Sequence, residues 1–330
     1  MAWFCSLPVW KGDWDLPSVD PSCLAALAYC RFSGVPVKLK KIGNPWRSPS
    51  GELPIMRHKK VTETKVTEIF SYLRKQNYGC DFNLSNKQSA DAIAFSSMLE
   101  EKLLPAILHL WWVDNKTYSD FTRPWYAKVL PFPLNFFIPD QIQKKASMRV
   151  TLTKGGSNVT DSELEAKIYK EAKECMNYLA YRLGKQDYFF GNAPSSLDAL
   201  VFGYLAPILK APLPNNQLQN HLKMCDNLCS LCNNILQRYL PPDPEEVEKK
   251  KAEEKSKPQS TTEYSDFPHR RRNMILAAIF ALSAMAGYAL LSGLIHLQIT
   301  DSDEDNDLKN PHGYIQNEED NEEYEDGRED

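Results

Sequence analysis

Residues 189–205 read FFGNAPSSLDALVFGYL. Gly191 and Pro194 turn the chain, and Ser195 and Asp198 then stand in the S-x-x-D spacing of a helix N-cap. The Ser195 hydroxyl is placed to accept from the backbone N–H three residues on. The Asp198 carboxylate is placed to accept from the amide of Ser195, inside the positive first turn. Beyond the cap, Leu197, Ala199, Leu200, Val201, Phe202 and Leu205 leave no polar face. A helix that is apolar all round is buried all round. A central helix of a helical core is expected, with Ser195 and Asp198 as its structural cap. A catalytic Ser/Asp pair would need a base, and none lies near in sequence.

Outward from this helix, residues 86–239 carry helical signals. The clearest spans 161–183, with Thr160 and Glu163 as a capping box and Gly184 as the stop. Residues 1–80 alternate strand and helix signals instead. Asp20-Pro21 reads as an N-cap followed by proline at the first helical position, and Gly34 ends that helix. Val35, Val37 and Leu39 alternate with Pro36, Lys38 and Lys40 as in a strand. A third apolar run starts at Leu53-Pro54, and a helix with Val66, Ile69, Phe70 and Leu73 on one side follows. This β-α-β then β-β-α order resembles a thioredoxin-like half, in which Pro54 stands where such folds place a cis-proline. The capped helix, in turn, resembles the core helix of a glutathione S-transferase-like second domain.

The charge is unevenly placed. Residues 301–330 hold 14 of the 43 acids and 2 of the 39 bases, net −12, which leaves 37 bases against 29 acids, net +8, in the first 300. Between body and tail lies MILAAIFALSAMAGYALLSGLI, residues 274–295, without a charge. At 1.5 Å per residue it reaches across a hydrocarbon core of about 30 Å. Arg270, Arg271 and Arg272 precede it, so the body is expected on the cytosolic side and the acidic tail across the membrane. The opening MAWFCSLPVWKGDW lacks the basic start and apolar run of a secretory signal, so insertion through the C-terminal segment is expected. Eight cysteines without a paired framework suit a reducing compartment.

Candidate chemistry is sparse. His221, Cys225, Cys229 and Cys232 invite a zinc reading, but on a single helix they would span about 16 Å, far beyond a ligand shell of about 2.0–2.3 Å. Together with Leu218, Leu222, Leu236 and Tyr239 they read better as one continuous core stripe. In the loop after the first strand, WKGDWDLPSVDPSC, the candidate nucleophiles are Ser18, Ser22 and Cys23; there is no C-x-x-C. A helix N-terminus can lower a thiol pKa there, yet no base is close in sequence. Glutathione-using relatives place an acid-serine pair after the proline-led strand, and MRHKKVTETKVTEIF (56–70) lacks it in that register. Two basic clusters remain, Lys38, Lys40, Lys41 and Arg57, His58, Lys59, Lys60. They are either a solvated face or a patch for acidic partners or anionic headgroups. The run LHLWWVDNKTYSDFTRPWYAKVLPFPLNFFIP (108–139) suits buried packing or an interaction surface. Arg57, Lys59, Lys60, Trp125 and Phe137 are the candidate partner surface.

LPSVD (16–20), NPWRSPSGELP (44–54), LEEKLLPA (99–106), RPWYAKVLPFPLNFFIP (123–139) and the opening stretch, taken in order, resemble the tail-anchored metaxins of the mitochondrial outer membrane. The similarity runs from about residue 7 to 240 and resumes at RRRNMILAAIF (270–280) and GYALLSG (287–293). It implies an α+β thioredoxin-like domain at 1–80 and an all-α glutathione S-transferase-like domain at 81–240. A linker at 241–273, a transmembrane anchor at 274–295 and an acidic tail at 296–330 complete the expected order. The resemblance further implies a non-enzymatic role in protein import and β-barrel assembly. The partners would be a second metaxin, the outer-membrane barrel insertase, precursor proteins and membrane lipid. No catalytic residue, cofactor, metal or nucleic acid is expected. The alternative, on fold alone, is a membrane-anchored glutathione-dependent transferase.

Overall fold

A computed structural model of the protein describes residues 5–43, 45, 48, 51–154, 160–242 and 270–292. Four strands, β1 (Cys5–Trp10), β2 (Val37–Ile42), β3 (Met56–His58) and β4 (Val61–Glu63), form one mixed sheet in the order β2-β1-β3-β4. The β1–β2 pair is parallel, with Ser6 opposite Lys38, and β1–β3 is antiparallel, with Ser6 opposite Arg57. Helix α1 (Pro21–Phe32) makes the crossover that a parallel pair requires. Asp20 caps it by accepting from the Cys23 amide at 2.8 Å, and Gly34 at φ +67° turns the chain away after it. Helix α2 (Val66–Lys75) buries Ile69, Phe70 and Leu73. The Leu53–Pro54 bond that leads into β3 is cis.

From Asn86 the structure is helical. In one run to Val113, α3 (Asn86–Met98) and α4 (Leu104–Leu108) alternate with π-turns at Leu99–Leu103 and His109–Val113. There follow α5 (Asn115–Thr117), a π-turn at Tyr118–Thr122, α6 (Arg123–Val129), α7 (Leu134–Lys154) and α8 (Asp161–Leu183). The series closes with α9 (Ser196–Lys210), α10 (Gln217–Lys223) and α11 (Asp226–Tyr239).

Helix α9 is central, and all of its residues from Leu197 to Ile208 are buried except Leu200, which is half-buried. Its closest partner is α1, whose residues Cys23–Cys30 are also all buried. Gly203 makes the crossing possible. A Cβ built there would lie 2.6 Å from the Pro21 carbonyl oxygen and 2.8 Å from the Ala25 Cβ.

One expectation needs correction. The stripe from Leu218 to Tyr239 does not lie on one helix: α10 ends at Lys223, and α11 begins only after Cys225, at φ −99° and ψ 75°. The chain divides after Met274, and the second unit holds most of α12 (Arg270–Leu291). Among the described residues no helix is long and apolar enough to cross a membrane. Residues 293–295 of the expected anchor, the linker from 243 to 269 and the acidic tail lie outside the described residues. Arg270, Arg271 and Arg272 open α12, but their side chains are outside them too.

Candidate functional site

The loop between β1 and α1 is where a thioredoxin-like fold would present a nucleophile. Here it is folded in on itself. Trp14 and Asp15 are both left-handed, at φ 50° and 59°. The chain passes so close to itself that a Cβ at Gly12 would sit 2.1 Å from the Leu16 carbonyl oxygen. The Trp14 ring stacks on Phe121 at 5.1 Å and meets Trp111 and Trp125 at 5.8 and 6.0 Å. The Trp125 indole N–H donates to Asp13 at 2.9 Å. Tyr126 extends the cluster to Trp10, Trp112 and Trp125, with ring centroids 5.1, 5.0 and 4.9 Å away. Five rings of the run 108–139 thus wall in the loop and the end of β1.

Inside that wall Ser18 and Cys23 are completely buried, and Ser22 is half-buried. Burial, with the Asp20 charge adding to it, holds the Cys23 thiol well above its ordinary pKa. The helix N-terminus does not lower it, because the Asp20 carboxylate already occupies the first-turn amide. Burial also pushes Asp20 itself up to about 6. Between β4 and α2, where an acid-serine pair would sit, stand Thr64 and Lys65, and Lys65 pairs with Glu68 at 3.2 Å. This arrangement presents no thiolate and no serine with a neighbouring base.

Ser195 and Asp198 stand at the N-terminus of α9. The Asp198 carboxylate accepts from the Ser195 amide at 2.8 Å, the Ser195 hydroxyl at 2.6 Å and the Phe189 amide at 3.0 Å. Burial outweighs these donors and raises its pKa to about 6. The two Ser195 contacts are internal to the turn, which is the geometry of a cap. The Phe189 contact, nine residues back, is not visible in the S-x-x-D spacing.

The basic residues are arranged differently. Lys38 and Lys40 are exposed on β2, and Arg57, Lys59 and Lys60 are exposed on β3 and its hairpin. Because Ser6 faces both Lys38 and Arg57, two clusters 19 positions apart share one face of the sheet, two strand spacings or about 10 Å apart. Lys59, left-handed at φ 54°, closes the hairpin. His58 leaves the cluster: it is buried on the other face and lies 2.7 Å from the Tyr72 hydroxyl. Trp125 belongs to the wall, whereas Phe137 is exposed. Among the described residues no group of three or more metal-ligating side chains comes together. His221 lies 2.9 Å from the Asn177 side-chain oxygen, and Cys232 is buried in the core.

The comparisons with known proteins agree with this picture. A family described as "Outer mitochondrial membrane transport complex protein" matches residues 23–143. Another, "Glutathione S-transferase, C-terminal domain", matches residues 172–235. Metaxin-1 of Macaca fascicularis is 48% identical over 304 residues, covering 90% of this chain and 92% of that protein. Metaxin-3 of Danio rerio is 49% identical over 231 residues, 70% of this chain and 74% of that protein. A crystal structure of a glutathione S-transferase of Ceriporiopsis subvermispora in complex with glutathione superimposes with a TM-score of 0.50. At 15% identity, over 72% of this chain and 99% of that one, it shows the fold alone. Identity near one half along nine-tenths of the sequence is decisive where the fold is not, and the chain belongs to the metaxin family.

Proposed function

We propose that this chain is a non-enzymatic subunit of the protein import and β-barrel assembly machinery of the mitochondrial outer membrane. In this reading a thioredoxin-like domain (1–80) and a helical domain (81–240) form a cytosol-facing scaffold. A linker (241–273) joins them to an anchor at 274–295, and the acidic tail (296–330) crosses the membrane. The charge-free run and the arginines before it support the anchor; the transport-complex family supports the address. A second metaxin, the barrel insertase and precursor proteins are the partners the family resemblance implies. Arg57, Lys59 and Lys60 on the sheet side are proposed to meet them.

One observation carries the non-enzymatic part: the β1–α1 loop, with Ser18 and Cys23, is sealed behind the Trp14 wall. A fold match at 15% identity gives a transferase no separate support. The test pairs two measurements on full-length chain. Glutathione-agarose is expected not to retain it, and thiol conjugation to stay at the uncatalysed rate, while purification from mitochondrial membranes brings down a second metaxin and the insertase. Glutathione turnover that Cys23→Ala or Ser22→Ala abolishes would replace this reading with the transferase. Alkaline carbonate is expected to leave the full chain in the membrane and to release a chain ending at Pro268.

A further inference from the structure

Helix α7 turns Leu134, Ile138, Ala146 and Val150 into the core and leaves large apolar side chains exposed on another face. On that face Phe137, Gln141, Lys144, Met148 and Leu152 follow one another at spacings of four, three, four and four, which keeps them in one stripe. Phe137, Met148 and Leu152 are 66%, 64% and 74% exposed, and Phe136 beside them is 52% exposed. The stripe runs about 22 Å along the axis. Exposed apolar side chains of this size, gathered on one helix, mark a contact surface.

The net charge of the helix is positive. Lys144 and Arg149 are exposed on it, Lys145 pairs with Glu52 at 3.0 Å, and its one acid, Asp140, accepts from the Tyr118 hydroxyl (2.7 Å) and pairs with Arg123 (3.4 Å). Helix α8 makes the contrast. Its Tyr181 is 90% exposed, yet α8 carries five acids and four bases, so it offers no net attraction to an anionic surface. Apolar anchors interleaved with lysine and arginine are the composition of a helix lying in a membrane interface.

We infer that the outward face of α7 is a peripheral membrane-contact surface that rests in the headgroup–acyl boundary of an anionic bilayer. Phe137, Met148 and Leu152 enter the apolar side, and Lys144 and Arg149 meet the lipid phosphates. The inference rests on the membrane address proposed above and adds a second point of contact to the anchor. It would hold the scaffold against the bilayer instead of leaving it at the end of the linker.

The experiment uses full-length chain in vesicles of phosphatidylcholine and phosphatidylserine, with an environment-sensitive fluorescent amino acid at position 137, 148 or 181. A side chain about 5–10 Å deep is reached by lipids brominated high on the acyl chain. Quenching of about twofold or more is expected at 137 and 148, and none at 181. Lys144→Gln with Arg149→Gln, at an unchanged melting temperature, is expected to shift the docked population toward water about tenfold, as is omission of phosphatidylserine. Probes at 137 and 148 as wet as the probe at 181 would overturn the inference. So would a photo-crosslinker at 148 that joins polypeptide instead of lipid in mitochondrial membranes. Carbonate extraction of the same vesicles separates the failures: resistant chain with wet probes removes the α7 contact alone, and released chain removes the anchor.

Discussion

The aromatic run 108–139 is two surfaces of opposite kind. Its first part, from Trp111 to Tyr126, is consumed in the wall around Trp14. Its last part, Phe136 and Phe137, stands in solvent at the start of α7. Composition is the same in both, and what differs is what lies opposite. The first part faces a loop and strand end that supply Trp14, Asp13 and Trp10; in the second, Phe136 meets only its neighbour Phe132 among the aromatic contacts of the described residues. Aromatic density therefore says that a surface is covered, and only the topology says by what.

That contrast can be broken by mutation. Trp14→Ala should be the most damaging change, removing a ring that touches three others and costing about 3 kcal/mol or more of stability. A melting temperature unmoved by it would mean that the wall does not hold the loop. Next comes Asp198→Ala, which strands the buried amides of Ser195 and Phe189 and should cost roughly 2–3 kcal/mol. Chemical denaturation measures it, and a loss below that of Ser195→Ala would sink the two-amide account.

The pH dependence of stability follows from the same buried carboxylates. Asp198 and Asp20 are both raised to about 6 from an ordinary value of 3.8. A raised carboxyl binds its proton more tightly in the folded state, so its contribution is full below about pH 4 and is lost as pH rises to about 6. Asp198 alone should give a decline on the order of 3 kcal/mol across that window. Asp198→Asn should flatten it, and an unchanged slope would place the titration elsewhere. Ser195→Ala should cost about 0.5–2 kcal/mol and couple to Asp198→Ala in a double-mutant cycle. The smallest effect belongs to the exposed half: Phe137→Ser should change stability by no more than about 0.5 kcal/mol while weakening the surface it serves. A larger loss of stability would mean that Phe137 is core after all.

Local chemistry was the most legible part of the fold. Ser195-x-x-Asp198, Thr160-x-x-Glu163 and Asp20-Pro21 each declare a helix start within four residues, because capping is a short-range interaction. The alternation of Val37, Leu39 and the lysines between them likewise placed β2. Register was not legible. Nothing in the order of residues says that Lys38 and Arg57 flank the same Ser6, or that His58 faces inward, since both depend on pairing set by the whole sheet. The break at Cys225 also escaped, because an apolar stripe continues across a bend that keeps the same side to the core. The closed loop was invisible for a related reason. The spacing of Ser18, Ser22 and Cys23 suits a reactive first turn, and the burial of Ser18 and Cys23 depends on helices and aromatic rings that come much later in the chain.

The crossing of α1 and α9 at Gly203 has a consequence for biosynthesis. The face of α1 formed by its buried residues is completed by a helix that ends at Lys210, and the distance from Phe32 to that point is 210 − 32, or 178 residues. At about 5–20 residues per second, a ribosome needs roughly 10–35 s to cover it. For that interval Leu24, Leu27 and their neighbours lack their final partner and are open to solvent. The nascent chain therefore passes through a window in which a chaperone that binds apolar helices has a defined target, and the completion of α9 closes it.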